Sequence, residues 1–154
     1  MELHIHNYDT TLAPEGKTVA SVNLYTKNSG YWIELRETNL ESYNRIKKEF
    51  AQKVIDILEK KISGIKENIE QVDVATPATF KRFTNNWNGS IQGWLPGKNM
   101  IAPTPVPIQL PGLKNLYFVG HWTIPGGGLP VAIKSARDVA MMICHDTQRD
   151  FTIR

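Results

Sequence analysis

The stretch NLYFVGHWTIPGGGLPVAIKSARDVAMMIC, residues 115–144, decides the fold because three local signals follow one another in it. Residues 116–119 are apolar and β-prone, which predicts a short buried strand. Three successive glycines, residues 126–128, then favour a turn whose backbone approaches a partner closely or adopts positive φ. Apolar residues recur over 131–143, so the stretch ends in a predicted helix with Pro130 at its first position.

The amino terminus of this predicted helix has no side-chain cap. Leu129 precedes Pro130 and carries no oxygen that could accept a hydrogen bond from the first turn. The free N–H groups of that turn carry a partial positive charge. They are therefore open to water or to an acceptor atom of a ligand.

The remainder of the chain predicts an α+β fold with a small mixed β-sheet and one long amphipathic helix. Alternating polarity predicts strands over residues 1–8 and 17–26, and residues 71–75 are predicted as another strand. The long helix runs from about 40 to 62, where apolar residues recur at three- and four-residue steps. Asn39 can serve as its N-cap.

Shorter signals follow the long helix. Gly64 suits the left-handed conformation at a helix end, and residues 65–69 are predicted to form one more turn. Thr76 can cap a short helix that starts at Pro77. Residues 85–112 contain four glycines and five prolines and are predicted to be a loop, which in a compact domain is usually functional or held by a partner surface.

Composition excludes several classes of function. The 154 residues are 41% hydrophobic and 21% charged, which is ordinary for a globular chain with one core. The net charge of +3 comes from cations interleaved with acids, which gives little field for nucleic acid. Cys144 is the single cysteine and excludes an internal disulfide. His4 and His6 share one strand face without further ligands, so no metal site is predicted.

Two segments together resemble the phytoene desaturase-like enzymes, which include carotenoid desaturases, carotenoid isomerases and retinol saturases within the FAD-dependent amine oxidase clan. One segment is the stretch 115–144. The other is DVATPATFKRFTNNWNGSIQGW, residues 73–94, which is similar to the family pattern ATP-x-T-x-x-R-(Y/F)-T followed by G-S-x-x-G. Residues 12–17 and the strand after them resemble an upstream element in the same order.

The resemblance implies a flavoprotein oxidoreductase that acts on C=C or CH–CH bonds of a hydrophobic polyene, with FAD as cofactor. It places FAD contacts near the glycine turn, and an apolar substrate tunnel near the loop that follows residue 84. His121 stands where many members of the clan carry an acidic residue, so a histidine packed at a strand end is the alternative for it. The implied FAD contacts are Gly120, His121, Gly127, Gly128, Leu129 and Pro130, and the implied substrate contacts are Phe83, Trp87 and Trp94. The alternatives are a tight strand-to-helix connection for the glycine turn and core packing for the aromatic residues. No catalytic acid or base is assigned.

The Gly-x-Gly-x-x-Gly motif that holds the FAD pyrophosphate in this family does not occur in the sequence. The chain is therefore interpreted as a carboxyl-terminal portion: a cloned fragment, a split subunit or a truncated gene product. Residues 1–112 would be the substrate-domain-like portion. Residues 113–154 would be the strand–turn–helix of a partial FAD/NAD(P)-binding-type domain. Alone, the chain is expected to be inactive and not to retain FAD.

The partner implied by this interpretation is the missing amino-terminal FAD-binding portion or a second copy of the chain. The intact enzyme is expected to be cytoplasmic, with peripheral membrane contact. The alternative function is a non-catalytic interaction module that folds as an oligomer without FAD.

Overall fold

Two short strands and four α-helices occur in the part of the chain that the computed structural model describes, residues 1–94, 106–124 and 126–152. This content confirms the predicted α+β class with a small sheet. Short 3-10 turns lie at Lys66–Asn68 and Trp87–Gly89. In chain order the elements are β1 (Glu2–Ile5), β2 (Ala20–Asn23), α1 (Ser29–Thr38), α2 (Leu40–Glu59), α3 (Pro77–Thr84) and α4 (Gly128–Asp146).

The chain divides into two compact units, Met1–Thr84 and Asn85–Arg154. The first unit contains both strands and the helices α1 to α3, and the second contains α4. The predicted division between residues 112 and 113 concerns the substrate and FAD domains of a longer enzyme, and it stays a prediction. None of the helices in the described residues is both long and apolar enough to cross a membrane.

Strands β1 and β2 form an antiparallel pair in which Leu3 lies opposite Val22 and His4 lies opposite Ser21. Both strands were expected from alternating polarity, and both are confirmed at shorter length. The prediction of a mixed sheet is wrong for the described residues, because their one pair of strands is antiparallel.

Two segments predicted as strands do not form strands. Residues 71–75 and 116–119 have no strand assignment. In the second run, the described residues show one backbone hydrogen bond, from Phe118 N to the carbonyl oxygen of Ile108 at 2.8 Å. An apolar, β-prone run needs a neighbouring strand to become part of a ladder, and sequence pattern does not supply that neighbour.

Helix α2 begins at Leu40 as predicted and ends at Glu59, three residues before the predicted end. The Asn39 side chain accepts a hydrogen bond from Ser42 N at 2.9 Å, which satisfies one free donor of the first turn. After the helix, the Glu59 carboxylate accepts hydrogen bonds from the backbone N–H groups of Gly64 and Lys66, each at 2.8 Å. These bonds lower the pKa of Glu59 below its ordinary value. Gly64 has φ of +82°, the left-handed conformation expected there.

Helix α1 was not predicted, because Ser29 and Gly30 suggest a break rather than a helix start. Its formation is explained by packing. Ile33 of α1 is buried in one cluster with Tyr43 of α2 and Ala78 of α3, and Trp32 packs against that cluster. Burial of this apolar surface outweighs the weak helix propensity of the first turn.

The Ala75-Thr76-Pro77 motif has a structural role at the start of α3. Thr76 Oγ1 accepts a hydrogen bond from Thr79 N at 3.4 Å, and Thr79 Oγ1 accepts one from Thr76 N at 3.1 Å. The buried Tyr43 hydroxyl lies 2.8 Å from Thr76 Oγ1 and 3.2 Å from Thr79 Oγ1. The motif therefore caps α3 as predicted and also ties it to α2.

Candidate functional site

The glycine turn before α4 has the positive φ values that the sequence predicts. Gly126, Gly127 and Gly128 have φ of +104°, +58° and +83°. Residues other than glycine rarely adopt these φ values, so the three glycines are required for this backbone conformation. Helix α4 begins at Gly128, which makes Pro130 its third residue rather than its first. Pro130 is tolerated there because first-turn N–H groups have no partner within the helix.

The amino terminus of α4 is open in the described structure. Gly127 occupies the N-cap position, and no side chain makes a capping hydrogen bond there. Leu129, in the first turn, is 78% exposed. The helix therefore presents backbone N–H groups and the positive end of its dipole, as the sequence predicts.

The glycine turn contacts the other family-like segment directly. Gly126 N donates a hydrogen bond to the carbonyl oxygen of Trp94 at 3.2 Å. A Cβ atom added at Gly127 would lie 2.8 Å from Gly93 N, so the absent side chain leaves room for residue 93. A Cβ atom at Gly93 would overlap the carbonyl oxygen of His121. Gly93 and Gly127 thus allow two chain segments to touch.

The other glycines of the turn leave space open. A Cβ atom at Gly120 or Gly126 would meet no atom within 4 Å, and one at Gly128 would meet only Pro130 Cδ, at 3.8 Å, among the described atoms. The space beside Gly127, one of the predicted FAD contacts, is therefore filled by other protein atoms. Leu129 and Pro130 are exposed and Gly128 is partly exposed, so these three predicted contacts remain accessible.

Two buried hydroxyl groups hold Gly120, and sequence reasoning missed both. Ser135 Oγ accepts a hydrogen bond from Gly120 N at 2.9 Å and donates one to the carbonyl oxygen of Ala132 at 2.8 Å. Thr123 Oγ1 donates to the carbonyl oxygen of Gly120 at 2.8 Å. Ser135 is 1% exposed and Thr123 is 4% exposed. Ser135 could have been noticed in the sequence as a small polar residue on the apolar face of the predicted helix.

His121 lies beside the turn with one ring nitrogen unpaired. Its Nε2 is buried and has no hydrogen-bond partner among the described residues. The imidazole ring centre lies 5.6 Å from that of Trp122. A buried polar atom without a partner is unfavourable, so this nitrogen is suited to bond with a ligand group.

Three tryptophans gather next to the turn. The ring centres of Trp87 and Trp94 are 6.0 Å apart, and those of Trp94 and Trp122 are 5.0 Å apart in an edge-on arrangement. Trp87 and Trp94 are 65% and 47% exposed, which makes them accessible to an apolar ligand. The structure thus brings together two of the predicted substrate contacts and adds Trp122. Phe83 lies in the first unit, where the Arg82 guanidinium sits 4.3 Å from its ring centre.

A separate open cavity of about 520 Å³ lies in the second unit and is lined by residues 109–115, Tyr117 and Asp146. Tyr117 donates a hydrogen bond to an Asp146 carboxylate oxygen at 3.1 Å. Partial desolvation and this hydrogen bond raise the pKa of Tyr117. None of the predicted site residues lines this cavity.

His6 of the His-x-His pair is engaged in other hydrogen bonds. Its Nε2 lies 2.9 Å from Ser21 Oγ and its Nδ1 lies 3.1 Å from the Tyr8 hydroxyl. His4 faces Glu2 at 4.0 Å. Within the described residues, no group of three or more His, Cys, Asp or Glu side chains is arranged to hold a metal ion.

Comparison with curated proteins identifies relatives named 4,4'-diaponeurosporene oxygenase. The protein of Staphylococcus haemolyticus strain JCSC1435 is 31% identical over 133 residues, which cover 86% of this chain and 25% of that protein. The protein of Staphylococcus aureus strain MW2 is 33% identical over 92 residues, covering 59% of this chain and 18% of that protein. No protein-family profile and no solved structure matches the chain.

The chain thus spans about a quarter of the length of the first of these relatives. The resemblance to carotenoid-related oxidoreductases is confirmed by their names and by the extent of the match. The chain is similar to these proteins over part of their length, which is consistent with a carboxyl-terminal portion of a carotenoid oxidoreductase-like protein.

Proposed function

We propose that this chain forms part of an FAD-dependent oxidoreductase that acts on C=C or CH–CH bonds of a hydrophobic polyene. The observation that carries the proposal is the hydrogen bond from Gly126 N to the Trp94 carbonyl oxygen at 3.2 Å. It joins the open amino terminus of α4 to the loop that bears exposed indole rings. A polar anion-stabilising element and an apolar surface therefore adjoin, as oxidation of an apolar substrate by a charged cofactor requires.

The residues at the turn fit the flavin end of FAD. When bound, FAD would accept two electrons and develop negative charge on its ring system. Free N–H groups in the first turn of α4, around Gly128 and Leu129, would stabilise that charge. Pro130 would border the ring. Gly120 and the unpaired His121 Nε2 would lie towards the ribityl chain.

The exposed aromatic side chains support a polyene as substrate. Trp87 and Trp94 offer apolar surface with few polar atoms, which suits a conjugated hydrocarbon. Phe83, 73% exposed in the first unit, stays a separate prediction. The names of the relatives point to the same class of compound. A lipid-soluble substrate also suits a cytoplasmic enzyme with peripheral membrane contact, which we include in the proposal.

A chimera with a curated relative tests this function. The 133 matched residues would replace the corresponding stretch of the S. haemolyticus protein. The purified chimera is expected to carry flavin, seen by its visible absorbance, and to oxidise 4,4'-diaponeurosporene. Replacing Gly128 with valine should lower flavin content about tenfold, because the side chain would obstruct the open face of the turn.

The matched control for this chimera is Gly112→Val. Gly112 has φ of +82° and no described atom within 4 Å of an added Cβ, so valine imposes a similar backbone strain elsewhere in the same unit. Flavin content should remain at the level of the unmodified chimera. Full flavin content in the Gly128→Val chimera would mean that the glycine run is a packing turn only.

The isolated chain is expected to bind FAD weakly. Its sequence has no Gly-x-Gly-x-x-Gly motif to hold the pyrophosphate, so binding would depend on contacts to the flavin end alone. Calorimetric titration of the purified chain with FAD measures this directly. A dissociation constant below about 1 μM, equivalent to about 8 kcal/mol of binding free energy, would contradict the expectation.

The alternative function is a non-catalytic interaction module. The observation that favours it is the exposed apolar face of α4, where Leu129 is 78% and Ile133 is 68% exposed. Such surface usually contacts another polypeptide. Under this alternative the unmodified chimera would fold without flavin and would not oxidise the polyene.

A further inference from the structure

Trp122 connects the two segments of the candidate site. Its ring packs edge-on against that of Trp94, with 5.0 Å between ring centres. Its indole Nε1 donates a hydrogen bond to Asn86 Oδ1 at 3.4 Å. Trp122 therefore contacts the loop of residues 86–94 at two points, while its own backbone belongs to the connection that leads into the glycine turn.

The loop that receives these contacts is itself closed by hydrogen bonds. Asn86 Nδ2 donates to the Ser90 carbonyl oxygen at 2.9 Å, and Ser90 Oγ donates to the Trp87 carbonyl oxygen at 2.8 Å. Asn88 and Gly89 both have positive φ, which bends the chain back on itself. The loop can therefore be held as a unit through Asn86 and Trp94.

Trp94 is held from two sides by residues of the turn. Its carbonyl oxygen accepts the hydrogen bond from Gly126, and its ring leans on Trp122. Trp122 is half-buried, whereas Trp94 is 47% exposed. This arrangement leaves Trp94 with a fixed orientation and an accessible ring. Loss of side-chain freedom before binding reduces the entropic penalty when a ligand stacks on that ring.

We propose that Trp122 is a positioning residue, which fixes the Trp94 ring for contact with an extended conjugated polyene. It also holds that contact at a fixed position relative to the glycine turn. This inference rests on the proposed function. A flat, rigid polyene gains most from aromatic surfaces that are already oriented. Trp122 thereby contributes to selection of conjugated chains without contacting the flavin.

The test is a fluorescence titration of the full chain with 4,4'-diaponeurosporene in detergent micelles. Replacing Trp122 with leucine removes the ring support and should weaken polyene binding about tenfold. Trp122→Phe keeps an aromatic edge and should remain within about threefold of the unmodified chain. Trp32→Phe is the control, because Trp32 also packs edge-on against an aromatic ring but lies in the first unit.

Binding and stability are measured on the same variants. Thermal unfolding of each variant separates a loss of polyene binding from a loss of folding. Equal polyene affinity in Trp122→Leu and the unmodified chain would overturn the proposal. Equal weakening by Trp32→Phe would also overturn it, since binding would then be general to apolar surface. If Trp122→Leu does not fold, Trp94→Leu takes its place: the proposal requires about tenfold weaker binding for Trp94→Leu and near-native binding for Trp122→Phe.

The two proposals fail separately. The titration involves no flavin, so its outcome does not depend on FAD binding. A chimera that holds flavin and oxidises the polyene, together with unaltered binding in Trp122→Leu, would refute the positioning role alone. A flavin-free chimera, together with the expected order of affinities, would refute the redox function alone.

Discussion

Replacing Gly93 with alanine is expected to disrupt the second unit, with a loss of about 3 kcal/mol or more in its free energy of unfolding. The added Cβ would overlap the His121 carbonyl oxygen and lie 2.9 Å from the His121 carbonyl carbon. Both atoms belong to backbone, which cannot move aside as the end of a flexible side chain can. The hydrogen bond between Gly126 and Trp94 would be lost with the same displacement.

Gly30→Ala is the matched control for Gly93→Ala. Gly30 lies within α1, has no positive φ, and a Cβ there would meet no atom of the described residues within 4 Å. Alanine should stabilise α1 by about 0.5–1 kcal/mol, because it is the better helix former. Thermal unfolding followed by near-ultraviolet circular dichroism compares the two variants. If Gly93→Ala unfolds at the same temperature as the unmodified chain, the close contact between the two segments does not contribute to stability.

The elements that could be predicted from sequence are those whose signals are local. The N-cap at Asn39 and the left-handed Gly64 bound α2, and both act within a few residues of the helix. The three positive-φ glycines at the start of α4 are also a local signal. Local chemistry of this sort requires no knowledge of what the chain contacts elsewhere.

The features that could not be predicted depend on contacts between residues far apart in sequence. Helix α1 is stabilised by packing onto Tyr43, and Gly93 matters because His121 approaches it. Ser135 holds Gly120 across fifteen positions of sequence. The wrong strand at 116–119 has the same cause, since a strand is defined by its partner. Each of these features requires the three-dimensional arrangement before the residues can be interpreted.

Self-association is the second large effect that we expect of this chain. Helix α4 carries apolar residues spaced four, three, four and three positions apart, which places them on one stripe along the helix. The stripe consists of Leu129, Ile133, Ala136, Ala140 and Ile143. The larger side chains of the stripe are exposed. Leu129 is 78%, Ile133 is 68% and Ile143 is 40% exposed. Val119, before the glycine turn, is 52% exposed as well. In a longer enzyme, other parts of the polypeptide would cover this surface.

In the isolated chain, we expect a second copy to cover it, giving a dimer or higher oligomer whose interface includes residues 115–143. Replacing Ile133 with glutamate should disperse the oligomer, because a carboxylate on the stripe would lose its hydration on association. Ile57→Glu, which places the same charge on the exposed side of α2, should leave the oligomer intact. Light scattering coupled to gel filtration at micromolar concentration measures the mass of each variant. An unmodified chain that elutes as a single 17.4 kDa species, with no change on tenfold dilution, would refute self-association and show that the stripe stays exposed to water in the free protein.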